Sequence, residues 1–466
     1  MKSNYFWDAI LKMKKIPLFA LVFAVAIAIS GLASLNAVAT PNIPPPPQRQ
    51  AIVITNATLH TVSGPVIANG RMLIDQGRIV AIGSASEVAT PSGAQVVSMS
   101  GKHVYPGLIG ANTTLGLVEV ESVRGTIDST ETGALNPNSR ALVAVNPDSE
   151  LIPVARANGI LAALSVPRGS ATGLIAGTSA LLQLDGWTWE EMGLIPEVGL
   201  HVALPTMRLN AALFPNLPQA RLDDMQRMTS QRLKVLEDGF ETANAYAKAR
   251  ANDANTPLDS RWEAMLPVVA GKRPVFIQAN ELPQIRYALR LADRFGFKLI
   301  IVGGMDAWRI AALLKERQVP VIIGGVYRLP MRRGDDVDAP FRLAALLYEA
   351  GVRFCIARSG SEFDAATERN LPFEAATAAA HGLPRDEALK AITLYPAQIL
   401  GAADRLGSLE PGKLASFFVT NGDPLDIRTK VERIFIQGRE IELSDRQTKL
   451  NDKYEQKYKQ LDAVKK

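Results

Sequence analysis

Eight short apolar runs, separated mostly by helical patterns, constrain this chain's fold more than any other feature. They occupy residues 104–109, 160–166, 179–184, 200–204, 274–279, 298–302, 320–323 and 352–357. Runs this short, with little polar alternation, suit strands covered on both faces, and strands alternating with helices suit a parallel sheet. Eight such units in about 300 residues is the count and length of a (β/α)8 barrel, so the fold class expected is α/β of the TIM-barrel type. The stretch between the fifth and sixth runs illustrates the helices. Ile285, Ala288, Leu289, Ala292 and Phe295 fall on one face, and Gly296 stands where the helix should stop.

The flanks have a different texture. Residues 51–55, 71–75 and 78–83 read as strands, with turn signals at Asn69-Gly70 and Gln76-Gly77, and strand patterns return at 416–420, 431–436 and 438–443. Two β-rich pieces at opposite ends predict one small composite β-sandwich, residues 51–103 plus 405–444, beside a barrel of residues 104–404. Residues 40–50 (TPNIPPPPQRQ) are Pro-rich and predict an extended linker. The charged tail 445–466 carries Leu450, Tyr454, Tyr458 and Leu461 at helical spacing. A surface helix packed on its own domain is the favoured reading over one docking a partner.

Residues 1–39 read as a targeting segment. Lys2, Lys12, Lys14 and Lys15 precede an apolar run at 16–29, and Ala37-Val38-Ala39 offers a small-residue cleavage site. That run is 14 residues, short of the ~20 needed to span a bilayer. A cleaved signal peptide, and hence a periplasmic or extracellular protein, is favoured over a retained anchor. Cleavage would remove four Lys and one Asp and lower the net charge from +5 to +2. Such a balance gives no reason to expect nucleic acid or an anionic membrane as partner. The single Cys355 forbids an internal disulfide and lies in an apolar run, which reads as buried and inert.

The segment His103-Val104-Tyr105-Pro106-Gly107-Leu108-Ile109-Gly110-Ala111-Asn112-Thr113-Thr114-Leu115-Gly116 enters the first barrel run through a Pro-Gly step. It resembles the first barrel strand of the amidohydrolase superfamily, in which PG[LF]ID is followed by the metal-binding His-x-His. Residues 388–400 (ALKAITLYPAQIL) and 407–426 (GSLEPGKLASFFVTNGDPLD) resemble that superfamily's C-terminal signature, with Ser416 at its usual Asp. Residues 69–83 (NGRMLIDQGRIVAIG) resemble its opening hairpin. The resemblance spans about residues 50–443, and its nearest branch is the imidazolonepropionase-related proteins.

The resemblance implies a hydrolase of carbon–nitrogen bonds other than peptide bonds, using divalent metal held at the barrel mouth. The same alignment puts neutral residues at the ligand positions. The family's Asp falls at Gly110 and the His pair at Asn112 and Thr114; two residues apart on a strand, that pair would point the same way. Gln278 stands for the strand-five His, glycine for the strand-six His and Ser359 for the strand-eight Asp, while the fourth run ends without Lys or Glu. The chain has four His. His60 and His103 fall outside the mouth, His381 at a helix end, and His201 early in the fourth run; one His does not make a zinc site.

No catalytic residue and no cofactor is therefore expected. Asn112, Thr114, Gln278, Asn280, Ser359 and Arg328 are the candidates for a polar, ligand-binding mouth. The alternatives are a hydrolase with a non-standard site and an interaction partner of an active paralogue, with homo- or hetero-oligomers allowed. Two further segments should reach the mouth. The 328–338 loop carries Arg328, Arg332, Arg333, Asp335, Asp336 and Asp338, for which internal pairing is favoured over Ca²⁺, Mg²⁺ or carboxylate binding. Residues 173–193 place Asp185, Trp187, Trp189, Glu190 and Glu191 after the third run, where core-covering tryptophans with exposed acids are favoured over a binding wall. Ser165, Ser170 and Ser179 lack the His/Asp partners of a serine hydrolase.

Overall fold

A computed structural model of the protein describes residues 43–170, 172–207 and 218–464. The targeting segment expected at 1–39 lies outside the described residues. Among those described, no helix is long and apolar enough to cross a membrane.

Five strands come first: β1 (Ile52–Leu59), β2 (Ile67–Asp75), β3 (Arg78–Gly83), β4 (Gln95–Ser98) and β5 (His103–Pro106). Gln76 and Gly77 both adopt positive φ, closing the β2–β3 hairpin in the sense that matches strand twist. The barrel follows, with β6 (Leu108–Thr113), β7 (Ile160–Ser165), β8 (Ile175–Gln183), β9 (Gly193–Ala203), β10 (Val275–Ala279), β11 (Leu299–Gly303), β12 (Val321–Gly324) and β13 (Phe354–Ala357). The chain ends on β14 (Phe417–Thr420), β15 (Val431–Ile436), β16 (Arg439–Ile441) and a helix Arg446–Val464.

The terminal strands hydrogen-bond as one eight-stranded sheet in the order β16-β15-β14-β5-β1-β2-β3, with β4 also on β1. The joint between the two ends of the chain is the antiparallel pair β14–β5. Ile54, Leu59, Met72, Phe417 and Phe435 form the core of this sheet. The Pro-rich segment before it is pinned rather than free. Gln48 donates to the Ile74 carbonyl and accepts from Gly77 N–H, and Arg439 donates to the Pro45 carbonyl.

The barrel strands follow one another in space from β6 to β13. The ring is sealed at the seam by residues 391–392. Ile356 N–H donates to the Ala391 carbonyl and Ile109 N–H to the Ile392 carbonyl, each at 2.9 Å. One apolar layer fills the lumen with Ile109, Leu164, Leu181, Phe276, Ile300, Ile322 and the buried Cys355. A second lies between strands and helices, where Val275, Ile277 and Ile301 meet Ile285, Ala288 and Leu289.

Two expectations change here. The third strand, β8, runs antiparallel to both β7 and β9, so the eight units are not all βα repeats. Only residues 166–174 separate β7 from β8. A parallel return needs a crossover of about a dozen residues or more, so the chain can only turn back. The end of β8 consequently reaches the barrel floor, not the mouth. The acid- and Trp-bearing segment that follows it lies against the terminal sheet, where Asp185 pairs with Arg156 (3.3 Å) and with Arg439 of β16 (2.9 Å). The C-terminal helix also differs from expectation. It is capped by Asp445, which accepts from Thr448 N–H at 2.7 Å, yet its described side chains from 446 to 463 are all exposed, the Leu and Tyr stripe included.

Candidate functional site at the barrel mouth

The strands deliver polar residues to the open end of the lumen. Asn112, at the end of β6, is 1% exposed and spans the seam. Its Nδ2 donates to the carbonyls of Arg358 (3.2 Å) and Ser359 (3.0 Å), and its Oδ1 accepts from Arg168 at 3.1 Å. Arg168 follows β7 in the sequence Val166-Pro167-Arg168-Gly169. Its guanidinium lies so close to Gly360 that a Cβ there would run into both it and the Asn112 amide; Gly360 has φ +74°, which glycine alone adopts freely. On its other side Arg168 borders a cavity of about 20 Å³ with His201, Phe276, Gln278 and Val302. One cation thus crosses the mouth from strands β6 and β13 towards β9, β10 and β11.

His201 sits late in its strand, not early as expected, because β9 starts at Gly193 and is eleven residues long. The imidazole stacks on Phe276 at a centroid distance of 4.7 Å, and its Nε2 is buried without a hydrogen-bond partner. Burial, aided by the nearby Arg168 charge, pushes its pKa well below the ordinary 6.5, so it is a neutral ring. Burial also lowers Arg168 to about 10, against attraction from Asp364, Glu362 and Glu368.

The other candidates occupy distinct environments. Gln278 is exposed into the mouth. Asn280 Oδ1 is buried and unpartnered, packed where a Cβ on Gly303 would lie, so a His at 303 has no room. Thr114 is fully buried with an unpartnered hydroxyl. Ser359 donates to Asp364, which also pairs with Arg358 at 2.8 Å. Arg358 reaches the buried Glu374 as well, and Glu374 accepts from Val326 N–H (2.6 Å) and Tyr327 N–H (2.8 Å). That bracket fixes the start of the loop after β12 and so the base of Arg328. The half-buried Arg328 donates to the Gly324 carbonyl at 3.4 Å. Beyond it Arg332 pairs within the loop with Asp335 and outside it with Asp306, after β11, while Arg309 of that same segment reaches both acids.

Three features escaped the sequence reading. Arg168 lacked a recognised motif, although an Arg set by Pro-Arg-Gly directly after a strand end was a visible signal. Glu368 is fully buried, and its carboxyl fills the space beside Gly110; burial raises its pKa to about 8. His60 and His103 meet in the terminal sheet, Nε2 to Nδ1 at 2.9 Å, with His60 stacked on Tyr105; burial and His103 lower His60 to about 4. Ser165 and Ser179 donate to the Leu115 and Gly199 carbonyls and face no base.

These residues do not fit the divalent metal that the resemblance implies. Among the described residues no group of three His, Cys, Asp or Glu could hold an ion. The aligned positions supply amides and hydroxyls already engaged or neutral, and a guanidinium stands beside the one imidazole, where a second cation would be repelled.

Comparison with known proteins gives a consistent family signal. Residues 358–441 match the family model described as "Amidohydrolase family". The chain is 20% identical over 406 residues to "Amidohydrolase tasK" of Hapsidospora irregularis, covering 79% of this chain but 39% of that protein; it therefore spans about two-fifths of that relative. An amidohydrolase from Thermotoga maritima MSB8 superposes with a TM-score of 0.72 at 27% identity, covering 84% of this chain and 99% of its own. Molinate hydrolase shares the fold, with a TM-score of 0.54 at 14% identity over 84% of this chain and 95% of that one. Sequence match and shared barrel together support a relation to the amidohydrolase superfamily.

Proposed function

We propose that this chain, supported as a member of the amidohydrolase superfamily, has given up the metal site and binds a small ligand at the barrel mouth through its own side chains. The observation that carries this reading is Arg168, whose guanidinium crosses the mouth between Asn112 and the His201 pocket. A fixed positive charge in that place supplies electrostatic attraction without a metal, and Asn112, Gln278 and His201 add neutral hydrogen-bonding groups. The relation to the imidazolonepropionase-related branch and export to the periplasm or cell exterior belong to the same proposal. A second reading, an interaction partner of an active paralogue, draws support from the exposed Leu450, Tyr454, Tyr458 and Leu461 stripe.

Elemental analysis tests the main reading. Protein purified in the presence of zinc and then dialysed should carry far less than one metal per chain, and chelator should leave its melting temperature unchanged. Stoichiometric zinc surviving dialysis, or a chelator-dependent fall in melting temperature, would sink the metal-free reading.

A further inference from the structure

The positive charge of this protein is concentrated at its C-terminus. Residues 446–466 hold seven Lys or Arg against three Asp or Glu, whereas residues 40–445 hold 40 against 42. The whole-chain balance therefore conceals a basic segment. That segment is the helix Arg446–Val464, 19 residues long. Its start is fixed to the body: Asp445, 4% exposed, accepts from Thr448 N–H and its own N–H donates to the Thr448 hydroxyl at 2.9 Å. Beyond that cap every described side chain is exposed, Leu450, Tyr454, Tyr458 and Leu461 included. Tertiary packing supplies most helical stability, and this helix receives none from its own barrel.

Charge is sorted around the helix axis. At 3.6 residues per turn Arg446, Lys453 and Lys457 project within about 60° of Leu450, while Asp452, Glu455 and Asp462 project about 120° or more away. Contacts agree with that sorting. On the far side Glu455 accepts from Asn451 and pairs with Lys459 at 3.8 Å. Beside the stripe, the Lys457 ammonium lies 5.7 Å from the Tyr454 ring centre and 5.9 Å from that of Tyr458, and the Lys453 ammonium lies 6.0 Å from Tyr454. Among the described residues none of Arg446, Lys449, Lys453 and Lys457 has an acid at ion-pairing distance.

We infer that this helix is a docking face for an anionic lipid surface, on which it lies flat with the Leu and Tyr stripe inward. The inference is independent of what the barrel mouth holds. Leucines enter the acyl boundary, tyrosines suit the headgroup level, and lysine stems reach past the stripe to the phosphates. A second copy suits the face less well. Stripe-to-stripe packing would set Lys453 and Lys457 of both copies at the seam with the acids turned away, whereas coiled coils seat opposite charges there.

The native thiol of Cys355 is buried, so a label goes to an introduced cysteine. The full chain carrying Leu461→Cys or Glu455→Cys is labelled with nitrobenzoxadiazole and mixed with phosphatidylcholine vesicles, with or without phosphatidylglycerol. On the anionic vesicles the label at 461 should brighten about twofold or more and shift to the blue, and the label at 455 should not. Salt at about 0.5 M should reverse the change. Adding Lys453→Glu and Lys457→Glu together should weaken the binding about tenfold or more. Because the signal is local to residue 461, binding by any other part of the chain does not imitate it. No change at 461, an equal change on phosphatidylcholine alone, or unchanged binding in the double lysine variant would overturn the proposal. A label at 461 already blue-shifted without lipid, with tail-dependent dimers in sedimentation, would assign the stripe to a second copy and also overturn it.

Discussion

At the scale of single residues, one buried group limits what the first barrel strand can hold. The resemblance aligns Gly110 with an Asp of the superfamily, and a Cβ built on Gly110 would come within 2.5 Å of Glu368 Oε1. An Asp at that place would press two carboxyls together in a dry site. Gly110→Asp should therefore destabilise the protein by about 3 kcal/mol or more, read as a lowered urea midpoint; an unchanged midpoint would refute the account. The pH dependence of stability draws on Glu368, His60 and His201. Glu368 titrates near 4.5 when unfolded and about 8 when folded, so its contribution is full below 4.5 and is lost as pH rises through 8. His60 falls from 6.5 to about 4, so its contribution is present above 6.5 and is lost as pH falls through 4. Between about 4.5 and 6.5 the Glu368 slope opposes those of His60 and of His201, whose pKa burial also holds well below 6.5. Glu368→Gln should expose a stability that rises with pH over that window, measurable by urea unfolding at closely spaced pH; a flat or falling profile in the variant would contradict the assignment. None of these shifts was legible in the sequence. Burial and the meeting of residues far apart in the chain create them.

At the scale of elements, the reversed β8 matters most. Its apolar run was readable, but its direction was not, because periodicity is the same in either sense. The short 166–174 connection held the clue, obscured by placing the strand's start at 179 instead of 175. Reversal sends Asp185 to the floor, 3% exposed at its side chain, between Arg156 and Arg439. Burial pushes its carboxyl pKa up against the pull of both arginines. Asp185→Asn leaves two buried guanidinium groups without their anion and should cost about 3–5 kcal/mol, checked by chemical denaturation. Ligand binding at the mouth should persist in that variant under native conditions, since the floor lies at the opposite end. The C-terminal helix teaches the converse lesson. Its 3.6-residue spacing correctly announced a helix, while its apolar stripe did not announce a partner within the chain.

At the scale of the whole molecule, the barrel and the terminal sheet followed from features a linear sequence carries. Apolar runs of strand length, helical spacing between them and β-rich ends are local patterns, and burial of their apolar faces leaves few architectures open. That Asn112, Thr114, Gln278 and Ser359 stand at or just beyond strand ends was also readable, because each closes an apolar run of strand length. What those residues do together was decided only by tertiary structure. Closing the ring brings Asn112 onto the carbonyls of residues 358–359 and draws Arg168 across the mouth to it. Charge compensation depends on distances of a few ångströms between segments up to 247 residues apart, which no local pattern encodes.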